Sequence, residues 1–75
     1  MASKIDTLSE RLWERTRTDW HVRVTIPLTE PACAVASIVS DDDKLPSIKG
    51  MFCKSRDPRA AVEEVIEAML AKLPV

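Results

Sequence analysis

The sequence predicts an α+β domain of order helix–strand–strand–strand–helix. Its expected architecture is a two-layer sandwich, a three-stranded antiparallel meander with both helices on one face. Three observations lead there. "WHVRVTI" alternates apolar and polar residues strictly, as a strand buried on one face does. Apolar residues near both ends of the chain recur at helical spacing. A length of 75 residues gives one domain, residues 1–75, with a small core whose net stability is on the order of 3–5 kcal/mol.

The first helix is expected over about residues 4–16. Ser3 and Asp6 form a capping-box pattern with Asp in place of Glu. Behind them Ile5, Leu8, Leu12 and Trp13 make an apolar stripe, while Glu10, Arg11, Glu14 and Arg15 fill the other side. The run Thr16 to Thr18 ends the pattern.

In the first strand Trp20, Val22, Val24 and Ile26 share one face, and His21, Arg23 and Thr25 the other. Pro27 has no N–H and stops the ladder, and "PLTEP" reads as a turn. "ACAVASIVS" is apolar on both parities, with Cys33, Val35 and Val39 on one and Ala34, Ala36 and Ile38 on the other. That suits the central strand of three. "SDDDKLP" carries three consecutive Asp. A calcium loop needs alternating ligands and a glycine, so this run reads as a solvated turn. "SIKGMFCK" is the third strand, with Ile48 and Phe52 on one side and Lys49, Met51 and Cys53 on the other. Gly50, the only glycine, predicts a bulge or a close backbone approach. In the last helix Val62, Val65, Ile66, Met69, Leu70 and Leu73 form the stripe, Glu63, Glu64 and Glu67 the wet side, and Pro74 the stop.

Composition narrows the function. Hydrophobic residues make up 45% of the chain, which fits a globular protein and excludes a disordered one. No apolar run is long enough to cross a membrane. The charged, periodic N-terminus is no signal peptide, so a cytoplasmic location and two free thiols are expected. Residues 1–25 carry five basic and four acidic side chains, residues 26–46 one and four, residues 47–75 five and four. No segment forms the basic field of a nucleic-acid binder.

No constellation of nucleophile, base and charge stabiliser is present, so no enzyme and no cofactor are expected. His21 and Cys53 share a strand parity, but no oxyanion loop or third orienting residue accompanies them. One His and two isolated Cys fall short of a zinc site. Trp13 and Trp20 lie on apolar stripes and read as core.

With both helices on one side, the opposite sheet face is expected to present His21, Arg23, Thr25, Ala34, Ala36, Ile38, Lys49, Met51 and Cys53. A partly apolar surface rimmed by charge marks a partner-binding site. At the start of the last helix, Asp57 and Pro58 read as N-cap and first helical residue. Lys54, Arg56 and Arg59 form a basic rim around that corner.

This helix–three strands–helix order, with basic residues where the second helix begins, resembles the double-stranded RNA-binding domains. The resemblance places Lys54, Arg56 and Arg59 in that family's phosphate-binding cluster. The chain departs from the family in having "SRDPRAAVEE" for its lysine-rich helix start. It has "PLTEPA" where the family carries a glycine–proline turn with a reading histidine, and Glu10 and Glu14 on the first helix. Nucleic-acid binding is therefore the alternative reading only. In size, layout and composition the chain also resembles small accessory proteins encoded by bacteriophages. That resemblance implies a non-enzymatic inhibitor of a host protein, of anti-CRISPR or other host-takeover type, acting by surface occupancy in the host cytoplasm. The expected partner is a host protein or a second copy in a homodimer, ahead of the nucleic-acid alternative, and no membrane is expected.

Overall fold

The computed structural model describes residues 3–29 and 33–73. The elements are α1 (Lys4–Thr16), β1 (Trp20–Thr25), β2 (Val35–Ser40), β3 (Ile48–Phe52) and α2 (Pro58–Lys72). The α-β-β-β-α order is the one the sequence predicts. The expected helix stop at Pro74 and the second half of the "PLTEP" turn lie outside the described residues.

α1 starts on the predicted capping box. Ser3 Oγ accepts the Asp6 N–H at 3.2 Å, and the Asp6 carboxylate accepts the Ser3 N–H at 3.4 Å. It ends at Arg17, which takes a left-handed conformation (φ 54°) and donates its N–H to the Trp13 carbonyl. α2 starts on Asp57, whose carboxylate accepts the Arg59 N–H at 3.1 Å, with Pro58 at the first helical position. Both caps satisfy donors that a helix start leaves free.

The sheet is an antiparallel meander of order β1-β2-β3. Trp20 pairs with Ser40, Val22 with Ile38 and Val24 with Ala36. Ala36 pairs with Met51 and Ile38 with Ile48. α2 lies over β2, where Ala34, Ala36, Ala61, Val65 and Met69 are fully buried. Small side chains on both elements let the helix approach the strand closely. α1 leans on α2, burying Leu8 and Leu12. Lys4 pairs with Glu67 at 3.1 Å, and Arg15 donates to the Leu70 carbonyl.

Two expectations about faces are overturned. In β2 the buried parity is Ala34, Ala36 and Ile38, while Val35 and Val39 are half-buried on the other side. Both parities are apolar, so periodicity could not orient the strand. Register does, because Ile38 and Ala36 sit beside Val22 and Val24, whose face carries the helices. In β3 the register slips between Ala36 and Ile38, and Gly50 sits at φ 73°. This is a bulge, the first of the two alternatives that Gly50 left open. It shifts the alternation, so that Ile48 and Met51 both pack against the core while Phe52 is 82% exposed. The Gly50 N–H goes to Ser37 Oγ at 3.0 Å.

Trp13, expected in the core, is 44% exposed. Trp20 is half-buried and donates its indole N–H to Thr16 Oγ1 at 2.9 Å.

Candidate protein-interaction surface

Among the described residues no helix covers the sheet face opposite α2. Register builds that face in rows across the strands. Thr25, Val35 and Phe52 form one row, Arg23 and Ser37 the next, His21 and Val39 a third. Lys49 stands at the bulge beside them. Val35 and Val39 are half-buried, Phe52 is almost fully exposed, and Arg23, Thr25 and Lys49 are exposed. Between His21, Arg23, Ser37 and Val39 lies a shallow depression of about 370 Å³. The small Ser37 side chain leaves it open.

His21 Nε2 contacts Asp41 Oδ1 at 2.7 Å. Asp41 begins the acidic turn, so one of its three carboxylates steadies an imidazole at the end of the face. Asp42 Oδ1 accepts the Lys44 N–H at 3.0 Å, an Asx-type turn. Among the described residues no cluster of His, Cys, Asp and Glu has the make-up of a metal site.

Of the residues expected on this face, His21, Arg23, Thr25 and Lys49 are there. Ala34, Ala36, Ile38 and Cys53 are buried beneath α2, and Met51 packs against the same core. The cause is the β2 parity and the Gly50 bulge. The face instead gains Val35, Ser37, Val39 and Phe52. The single glycine was the available signal for Phe52, because a bulge at Gly50 reverses every side chain beyond it. Asp41 as the His21 partner carried no sequence signal.

Cys53 cannot act with His21, since the two lie on opposite faces of the sheet. Burial pushes the Cys53 thiol up, with Glu64 adding to the effect. Such a thiol is the inert kind. Cys33 is exposed and also free.

The basic corner is largely committed to structure. The Glu64 carboxylate accepts the Lys54 N–H at 3.1 and 3.2 Å. The Arg56 guanidinium donates to the Pro27 carbonyl. Asp57 occupies the helix start, where an anion would bind. Arg59 and the Lys54 side chain remain exposed. Two carboxylates thus stand where a phosphate would need cations. No helix among the described residues is long and apolar enough to cross a membrane.

No family model matches the chain, and neither the curated proteins nor the solved structures include a significant match.

Proposed function

We propose that this chain is a small, non-enzymatic protein-binding module that acts by occupying its partner's surface with the open sheet face. The observation that carries the reading is Phe52, 82% exposed at the end of β3, in one row with Val35 and Thr25. An exposed aromatic beside half-buried valines, with Arg23 and Lys49 on the same face, has the make-up of an interface centre. Arg23 and Lys49 favour a partner surface that is acidic around an apolar patch. A second copy would bring the same cations to the contact, so a different protein is the better fit. Under the resemblance to phage accessory proteins, that partner is a bacterial host protein whose surface is blocked.

The test is capture of a partner from bacterial lysate, followed by titration of the purified partner. Phe52→Asp combined with Lys49→Glu leaves the fold intact, since both side chains are exposed. Loss of an aromatic interface centre weakens binding by about 2 kcal/mol or more, roughly thirtyfold. A captured partner whose affinity is unchanged in this variant sinks the assignment of the face. A gel shift with duplex RNA at low salt checks the alternative, and retardation there would favour nucleic-acid binding.

A further inference from the structure

On the helix side of the sheet, α1 stands away from β1 and leaves an apolar groove of about 370 Å³. Leu12, Trp13, Trp20, Val22, Ile38 and Ile66 line it. The Trp20 indole is pinned to Thr16 at one end, while Trp13 lies open to solvent.

The groove runs beside a strand edge that pairs with no other strand among the described residues. β1 is the outermost strand on its side. In an antiparallel pair, successive residues point their backbone groups alternately toward and away from the partner. The Asp41 N–H bonds the Asp19 carbonyl at 3.0 Å, which sets the phase. Residues 19, 21, 23 and 25 therefore face β2, and Trp20, Val22 and Val24 turn their N–H and C=O groups outward. β1 has no bulge, glycine or proline over its six residues. The opposite edge, β3, is interrupted at Gly50 and carries Lys49. Proteins blunt strand edges in the way β3 is blunted; β1 carries Arg23 but no interruption, and it lies next to an apolar groove.

We propose that the β1 edge binds an extended peptide segment of another protein as a fourth antiparallel strand. Alternate apolar side chains of that segment enter the groove under α1, and an acidic side chain lies across from Arg23. The outward backbone groups of β1 supply affinity, and the groove reads every second residue. Charge sets the rest of the pattern. Glu10 and Asp19 line the groove and exclude acids from the inner positions. Arg23 is exposed on the other face and suits a carboxylate on the neighbouring strand. A second copy offers only His21, Arg23 and Thr25 at those positions, so it lacks the matching acid. The site is separate from the open face proposed above, sharing only Arg23.

The probe is a capped hexapeptide alternating valine and glutamate. The chain has two tryptophans and no tyrosine, and both tryptophans line the groove, so intrinsic fluorescence reports on this site. A saturable change in emission is expected. Methylating the valine nitrogens removes the donors that reach β1 and weakens binding at least about tenfold, given two or three hydrogen bonds at stake. Arg23→Glu weakens the glutamate peptide and strengthens one alternating valine and lysine. Phe52→Asp with Lys49→Glu leaves hexapeptide binding unchanged, so loss of the open-face partner in that variant is a separate result. The proposal is overturned by an unchanged emission at millimolar peptide, or by equal affinity of the methylated peptide. A dimer in light scattering that the peptide does not dissociate also overturns it, because a second copy would then hold the edge.

Discussion

Two adjacent residues of β2, Ile38 and Val39, test which sheet face carries the helices. Ile38 is fully buried and packs between Val22 and Ile48, its partners on either side. Val39 is half-buried on the open face, paired with His21. Replacing each by threonine keeps the β-branch, so strand preference is nearly constant. Ile38→Thr removes one buried methylene, about 0.5–1.5 kcal/mol. It also exchanges a methyl for a hydroxyl at a fully buried position, about 1–3 kcal/mol more. The expected loss is about 2–4 kcal/mol. Val39→Thr places its hydroxyl toward solvent and should fall within about 0.5 kcal/mol. Urea denaturation followed by tryptophan fluorescence and circular dichroism separates the two. With a slope of about 1 kcal/mol per molar for a chain this small, the Ile38→Thr midpoint drops by about 2 M or more. Against a net stability on the order of 3–5 kcal/mol, that variant is barely folded. Equal losses, or a larger loss in Val39→Thr, would mean that β2 faces the other way and that the proposed interaction face is really core.

The two thiols should react at very different rates. Cys33 is exposed and Cys53 buried, so a thiol reagent should label one site at once and the second only as the domain opens. The raised pKa of Cys53, caused first by burial and then by Glu64, also fixes a pH dependence. A raised folded pKa contributes stability that is fully present below the unfolded thiol value of about 8.5. That contribution is lost as pH rises through the folded value. The urea midpoint should therefore fall on going alkaline, and fall less in Cys53→Ala. Gly50→Ala meets no obstruction, since its Cβ would touch only Val35 Cγ1 at 4.0 Å. Its cost is the positive φ alone, about 1–2 kcal/mol, read as a lower urea midpoint. A loss near zero would show that the bulge relaxes.

The layout was legible because caps and periodicity are local signals. Ser3 with Asp6 marks one helix start and Asp57 with Pro58 the other. The alternation of β1 orients that strand without any knowledge of its neighbours. β2 was illegible in orientation because it is apolar on both parities, and only pairing with β1 decides between them. Ala34 and Ala36 look too small to anchor a core until α2 is placed over them with Ala61. In β3 the sequence named the bulge but not its consequence, the reversal of Met51, Phe52 and Cys53. The candidate site shifted with it. His21, Arg23, Thr25 and Lys49 stayed on the open face, and Phe52 took the place assigned to Met51. Trp13 followed the apolar stripe of α1, yet α1 leans on α2 rather than lying flat on the sheet, and the tryptophan is left over a groove.

These placements divide the small chain into a part that holds the fold and parts that the fold does not constrain. The core is concentrated where α2 crosses β2, through Ile38, Val65 and Met69, all fully buried. Trp20, Val22 and Val24 of β1 pack against that core, whereas the exposed residues Arg23, Thr25, Lys49 and Phe52 contribute little to it. Their side chains can vary at costs within about 0.5 kcal/mol, while changes at an interface centre alter affinity by several times that. Under the proposed function, a domain with only a few kcal/mol to spare would alter its affinity for a partner through Phe52 or Arg23 without approaching its unfolding limit.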